Sequence, residues 1–169
     1  MNNRIIIICA ILVVIILIIT AVCIITKYDR RTSMNEYTDV LGIPPLYSGE
    51  NQIKDIRGIE SIEDSFIEEG APQKIVIVKD KCKLFYVPPV GWDSDSREER
   101  NEQFRLVKIE IFGKEYRFGD KKIGIGSSKA EIEDVYHSYY VLDPDRYIYI
   151  SFSYDSNDIV NLITLSIYG

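Results

Sequence analysis

The chain has 169 residues, 46% of them apolar, and a formal net charge of −6. This length fits one domain, or one domain plus an accessory segment, and the composition excludes a disordered chain and a multi-pass membrane protein. Three cysteines are too few for a disulfide-rich scaffold. The acidic balance argues against nucleic-acid binding, so no nucleic-acid partner is expected.

The apolar residues are concentrated near the N-terminus. Residues 5–26 contain no charged residue, no proline and no glycine. A helix of this length spans about 33 Å, which is enough to cross a hydrocarbon core of about 30 Å. We therefore predict a membrane anchor within residues 1–31, whose transmembrane helix has the lipid bilayer as its partner.

The segment is longer than the core of a signal peptide and is not followed by a small-x-small cleavage site, which predicts an uncleaved, single-pass signal anchor. The basic flanks, Arg4 before it and Lys27, Arg30 and Arg31 after it, favour a cytoplasmic C-terminus. A short tail before one early apolar helix instead favours export. We expect an extracytoplasmic C-terminal domain at the cell membrane, with a cytoplasmic-facing, membrane-tethered regulator as the alternative.

The rest of the chain is strongly acidic. Residues 32–169 hold 16 basic and 25 acidic residues, a net charge of −9. Anionic lipid headgroups and nucleic acids repel such a domain. A macromolecular partner of this domain, most simply a protein, is therefore expected to be basic or neutral.

Residues 32–50 are predicted to be a tether, because Pro44 and Pro45 impose extended geometry. Apolar side chains in the tether are available to dock on the domain. The regular apolar pattern begins at residue 51, which places an α+β domain at residues 51–169.

Two parts of this domain resemble each other. Residues 105–113 and 161–169 both alternate like a strand and end in glycine, and residues 61–66 resemble residues 131–136. The order in each half is then a short helix, a strand or hairpin, and a closing strand. We predict two degenerate helix-strand repeats, 51–113 and 114–169.

The elements have local start and stop signals. Ser128 and Glu131 form a capping box, which predicts a helix directly after it. A weaker pair, Ser61 and Asp64, predicts a helix in the first half. The apolar face of this helix and the glycine that ends it are predicted to be Ile59, Ile62, Phe66 and Gly70. Residues 147–154 alternate as a strand that is buried on one side. The predicted class is α+β, with an antiparallel sheet and short helices on one of its faces.

The stretch Ile123–Tyr136, with its Gly-Ile-Gly-Ser-Ser entry into the helix, resembles the outer-membrane assembly lipoprotein (SmpA/OmlA) and β-lactamase-inhibitor-protein superfamily. The strand pair Tyr147–Tyr154 and Ile159–Tyr168 is similar to the strands that come after that helix in the superfamily. The likeness covers residues 123–169 and is weaker over residues 58–113, and the chain lacks the lipobox of the lipoprotein members. The resemblance implies an extracytoplasmic, non-enzymatic binding or scaffolding module.

Signals for chemistry are weak. The single histidine, His137, adjoins a tyrosine-rich segment, and Cys82 is expected to be a packed strand thiol. Residues 124–129 lack the spacing of a phosphate loop, and the Asp93 and Asp95 pair lacks the later ligands of a calcium loop. We predict no catalytic residue, no cofactor and no metal site, with an enzyme of unrecognised site as the alternative.

Tyrosines are the remaining candidates for contact. Tyr147 and Tyr149, with Trp92 as a second anchor, form a possible contact patch, because tyrosine and tryptophan are enriched in recognition surfaces. The sequence therefore predicts a membrane-anchored cell-envelope binding or accessory module without catalytic activity.

Overall fold

The computed structural model describes residues 12–20, 34–67, 70–89, 104–136, 141–143 and 147–167. The chain divides into two compact units, residues 1–31 and 32–169.

In the first unit, residues 12–20 are helical, and the large apolar side chains of this helix are exposed. The Thr20 hydroxyl donates a hydrogen bond to the Ile16 carbonyl at 2.6 Å. Within the described residues, no helix is both long enough and apolar enough to cross a membrane. The rest of the predicted span, residues 5–11 and 21–26, lies outside the described residues.

The second unit contains an antiparallel sheet of seven described strands, in the order β1-β2-β3-β4-β7-β6-β5. The strands are β1 (Ile59–Phe66), β2 (Pro72–Val78), β3 (Cys82–Val87), β4 (Arg105–Ile111), β5 (Val141–Asp143), β6 (Ile148–Tyr154) and β7 (Val160–Ile167). Its described helices are α1 (Met34–Leu41), α2 (Lys129–Tyr136) and a 3₁₀ helix (Glu50–Asp55). The α+β class and the antiparallel sheet are confirmed.

One face of the sheet forms the core. Leu84 pairs with Ile109, Ile109 with Leu165, and Leu165 with Ile150, so a row of buried aliphatic side chains crosses four strands. The opposite face is mixed, with serines on β6 and apolar side chains such as Phe85 on β3. Strand β6 follows the predicted alternation, since Ile148 and Ile150 are buried while its two serines are exposed.

The two α-helices meet over this core through aromatic residues. The Tyr37 ring of α1 stacks on Phe118 with a centroid distance of 4.2 Å. The Tyr37 hydroxyl lies 2.7 Å from the Tyr136 hydroxyl of α2. Tyr136 in turn lies 5.4 Å from the Phe152 ring of β6. Each helix is therefore fixed to the core by a tyrosine that is itself buried.

The predicted helix over Ser61–Phe66 is wrong, because these residues belong to β1 and pair with β2 along its length. The apolar spacing of Ile59 and Ile62 suggested a helix. A bulge between Ile59 and Ser61 produces the same spacing in a strand, since one extra residue shifts the alternation. Gly70, with φ +82°, lies in the β1–β2 turn instead of ending a helix.

The predicted repeat is therefore not reproduced in element order. Residues 61–66 form a strand, whereas residues 131–136 form most of α2. The closing segments do match, because residues 105–111 and 161–167 are both strands, and they are direct neighbours in the sheet.

The segment predicted as a tether is part of the core. Met34, Tyr37 and Leu41 lie three and four residues apart and form the buried side of α1. Ile43 and Leu46, around the two prolines, are buried as well. The compact unit therefore begins at residue 32 rather than at residue 51.

Candidate functional site

The glycine-rich entry to α2 is used for structure. The Gly126 amide donates to Val160 O at 2.8 Å, and the Lys129 amide donates to Asp158 O at 2.9 Å. A Cβ on Gly124 would clash with the Tyr116 carbonyl oxygen. Because the backbone amides that would hold a phosphate already have partners, this loop serves as the turn into the helix.

The capping box that begins α2 is confirmed. The Ser128 amide donates to the Glu131 carboxylate at 2.7 Å, and the Glu131 amide donates to the Ser128 hydroxyl at 3.3 Å. The hydrogen bond from the Ser128 amide lowers the pKa of the Glu131 carboxyl group below its ordinary value.

The Cys82 thiol is free and fully buried, as expected for a packed strand residue. Burial raises its pKa to about 12, and the nearby Lys81 ammonium opposes this shift. A thiol held in its protonated form is a poor nucleophile.

The surface that stands out is β1. This strand pairs with β2 on one side and, in the part of the chain that the structure describes, has no strand on its other side. Glu60, Glu63 and Asp64 are exposed along it, and residues 59–70 contain no basic residue. We call these three side chains the acidic edge.

Two large apolar side chains on the same strand are also exposed. Ile62 is 52% exposed and Phe66 is 72% exposed, the latter being the largest exposed fraction of any described large apolar residue. Burying one such side chain stabilises a protein or a complex by roughly 1.5–3 kcal/mol. Neither residue contributes in this way to the unit by itself, so both are available to a partner.

A groove of about 820 Å³ lies beside these residues. We define it by Ile62, Phe66, Lys74 and Phe104, which are among the residues that line it. Lys74 forms an ion pair with Glu50, and its ammonium lies 5.7 Å from the centre of the Phe104 ring.

Backbone hydrogen bonds hold in place the side of the groove that Glu50 and Phe104 form. The Glu50 amide donates to Phe104 O at 2.8 Å, and the Leu106 amide donates to Ser48 O at 2.8 Å. The start of the 3₁₀ helix is therefore joined to the start of β4. This side of the groove is therefore ordered without a ligand, which reduces the entropy cost of binding.

A second, smaller hollow of about 310 Å³ is lined by apolar groups, including Val87, Pro88 and Ile167. Tyr47 lies at its border with φ +71°, a left-handed conformation that is unusual for an aromatic residue. The chain that continues after Pro89 lies outside the described residues, so we assign no site to this hollow.

The predicted contact patch is divided. Tyr147 is 61% exposed, but it lies in the turn before β6 rather than in the strand. Tyr149 is half-buried and pairs with Ser166 of β7. Trp92 lies outside the described residues, and so do Asp93, Asp95 and His137. The patch stays a prediction.

The acidic edge and the groove were not predicted from the sequence. Ile62 and Phe66 were predicted to lie on the apolar face of a helix, whereas both are exposed on a strand. One signal was present in the sequence, namely the absence of any basic residue over residues 59–70. In the described ranges, no group of three or more His, Cys, Asp or Glu residues is arranged to hold a metal ion.

Comparison with protein-family models, with curated proteins and with solved structures gave no match for this chain.

Proposed function

We propose that this chain is a membrane-anchored binding module of the cell envelope, without catalytic activity, which holds a partner protein at the acidic edge and the groove. One observation carries the proposal: an edge with no neighbouring strand among the described residues, two exposed large apolar side chains and a fixed groove coincide on β1. Contiguous exposed apolar surface on a soluble domain is typical of an interaction site.

The anchor is supported by the composition of residues 5–26, which hold no charge. In the described part of this segment, residues 12–20 are helical, and the side chain of Leu17 is 63% exposed. Exposed leucine and isoleucine on a helix are stable in hydrocarbon and unfavourable in water. The resemblance of residues 123–169 to an extracytoplasmic superfamily supports an envelope location.

Membrane topology is tested with a thiol placed where reagents reach it. The native Cys82 is buried, so we choose Ser156→Cys in the exposed β6–β7 turn. Labelling of this variant by a membrane-impermeant maleimide on intact cells is the expected result, with the parent chain as the baseline. Labelling only after lysis would place the domain in the cytoplasm and favour the regulator alternative.

Partner binding is tested by photo-crosslinking from the site itself. A benzoylphenylalanine at position 66 is expected to give an adduct of higher mass in cells that express the chain. The matched control carries the same group at Val40, which is 42% exposed on α1. Adducts from position 40 alone, or from neither position, would contradict a binding site at β1.

A further inference from the structure

β1 presents backbone groups as well as side chains. The N–H and C=O groups along its free side face no strand in the described part of the unit. An extended peptide pairs with such an edge by adding one more strand to the sheet. Backbone pairing supplies affinity in this mode, and alternate side chains supply specificity.

The side chains of β1 alternate between two surfaces. Ile62, Asp64 and Phe66 lie on the side of the groove, where they pair across the sheet with Val76, Lys74 and Pro72. Ser61 and Glu63 are positioned on the opposite side, and Ser65, which alternates with Asp64 and Phe66, also borders the groove. An added strand places each of its side chains about 4.5–5.5 Å from the one directly opposite.

The negative charge of the acidic edge favours a positively charged ligand. Glu63 and Asp64 are adjacent, exposed and of the same sign. Lys74, which faces Asp64 across the β1–β2 pair, is engaged by Glu50. An incoming strand that places lysine or arginine opposite both carboxylates is therefore favoured, and one that carries carboxylates there is disfavoured.

We infer that β1 binds an extended, basic segment of a partner protein by antiparallel strand addition, with apolar side chains opposite Ile62 and Phe66 and basic side chains opposite Glu63 and Asp64. This inference rests on the proposed function and names the chemical class of its partner. The pattern from the N-terminus of the partner is apolar, polar, basic, basic, apolar.

A second copy of this chain fits the edge less well. Two β1 strands paired antiparallel about Glu63, next to the centre of the strand, would bring the Glu63 carboxylates of the two chains opposite each other, and pairing about Asp64 would do the same with Asp64. Like charges directly opposite each other destabilise a strand pair. Charge complementarity therefore favours a different, basic partner.

The inference is tested with a synthetic peptide, Val-Thr-Lys-Lys-Val-Thr, labelled with a fluorophore. The full chain in detergent micelles is titrated into the peptide, and fluorescence anisotropy reports binding. Two control peptides are used, one with glutamate in place of both lysines and one with alternate amides N-methylated. We expect saturable binding of the first peptide and at least tenfold weaker binding of both controls.

The matching variant is Glu63→Lys/Asp64→Lys. We expect it to bind the lysine peptide at least tenfold more weakly than the parent and to bind the glutamate peptide more tightly than the lysine peptide. This reversal also shows that the variant is folded. The control, Asp120→Lys/Glu133→Lys, changes the net charge equally at exposed positions away from β1 and is expected to bind like the parent.

Equal binding of the N-methylated peptide would overturn strand addition in favour of simple charge attraction. Equal weakening by both double variants would overturn the assignment to β1. A photo-adduct from position 66 with the mass of two chains would show that a second copy occupies the edge. A heterologous adduct from position 66 without peptide binding overturns this inference alone, whereas no adduct at all contradicts the proposed function too.

Discussion

At the scale of single residues, two buried tyrosine hydroxyls have opposite environments. The Tyr37 hydroxyl is paired with that of Tyr136 at 2.7 Å, whereas the buried Tyr86 hydroxyl has no hydrogen-bond partner among the described residues. Burial raises the pKa of both Tyr37 and Tyr86. A buried hydroxyl without a partner costs about 1–3 kcal/mol.

The same substitution is therefore expected to act with opposite sign at the two positions. Tyr37→Phe removes a buried hydrogen bond and is expected to lower the free energy of unfolding by about 1–2 kcal/mol. Tyr86→Phe removes an unpaired hydroxyl and is expected to leave that free energy unchanged or to raise it by up to about 1 kcal/mol. Urea denaturation of the full chain in detergent, followed by near-UV circular dichroism, measures both. A destabilising Tyr86→Phe with a neutral Tyr37→Phe would contradict the assignment.

The buried Cys82 thiol is expected to make the fold less stable at alkaline pH. Its pKa is raised from 9.0 to about 12 in the folded protein, so folding favours the protonated thiol. This stabilisation is complete below pH 9.0, the ordinary pKa of the thiol in the unfolded chain, and is lost as the pH rises toward 12. Over that range this loss lowers the free energy of unfolding by up to about 1.4 kcal/mol per pH unit.

The measurement is the free energy of unfolding at pH 7.5, 9.5 and 10.5 for the parent and for Cys82→Ala. We expect a shallower decline in the variant, whatever its stability at pH 7.5, because it has no thiol to ionise and because the charge of Cys82 also contributes to the raised pKa of Tyr86. Equal slopes would show that Cys82 ionises as readily in the fold as in the unfolded chain.

At the scale of elements, the capping box is a local determinant of α2. Ser128→Ala removes the side-chain acceptor of the Glu131 amide and is expected to cost about 1 kcal/mol of stability. Ser153→Ala, an exposed strand position, is the control and is expected to change stability by less than about 0.5 kcal/mol. Thermal unfolding of the two variants in parallel decides the matter, and equal effects would speak against the cap.

The Glu131 carboxylate makes the stability of the fold depend on pH in the acid range, in the direction opposite to that of Cys82. Its pKa is lowered in the fold, so its contribution is present above the ordinary value and is lost as the pH falls through the lowered one. The Ser128 hydroxyl also donates to this carboxylate at 3.0 Å, and Ser128→Ala removes that bond while keeping the one from the amide. We therefore expect the difference in melting temperature between Ser128→Ala and the parent to narrow in acid.

Substitutions on β1 and on its neighbour β2 distinguish a role in binding from a role in stability. Phe66→Ser is expected to change the free energy of unfolding by less than about 0.5 kcal/mol, because this side chain is already 72% exposed. Val76→Ala, a fully buried position on the neighbouring strand, is expected to cost about 2 kcal/mol. Only Phe66→Ser is expected to weaken binding of the lysine peptide. Loss of stability in Phe66→Ser comparable to that of Val76→Ala would argue for a structural role.

The elements that were predictable have signals confined to a few residues. The box of Ser128 and Glu131 and the turn at Asp155, whose carboxylate accepts from the Asn157 and Ile159 amides, are examples. β1 was not predictable in this way. Its apolar spacing fits both a helix and a strand with a bulge, and only the pairing with β2 decides between them. The exposure of Ile62 and Phe66 depends on the order of strands, which no local signal contains.

At the scale of the whole molecule, the boundary of the folded unit differs from the one predicted. Residues 32–169 are expected to fold when produced without the first 31 residues, because α1 and the segment after it complete the core. A chain that begins at residue 51 is expected to lose cooperative unfolding, because it lacks Tyr37, Leu41, Ile43 and Leu46. Calorimetry of the two fragments measures this, and a cooperative transition in the shorter one would contradict the assignment of α1 to the core.

The place of β7 has a consequence for biosynthesis. This strand is made from residues 160–167, yet it lies between β4 and β6, inside the sheet rather than at a border. During vectorial synthesis the β1–β4 meander is complete long before the strand that shields its last edge emerges. Until then β4 offers an unsatisfied border to any extended chain nearby, a hazard for aggregation. The nascent chain therefore passes through a stage at which β4 can pair with an added strand. Among the described strands β1–β4 of the finished sheet, β1 alone keeps an edge open to such pairing.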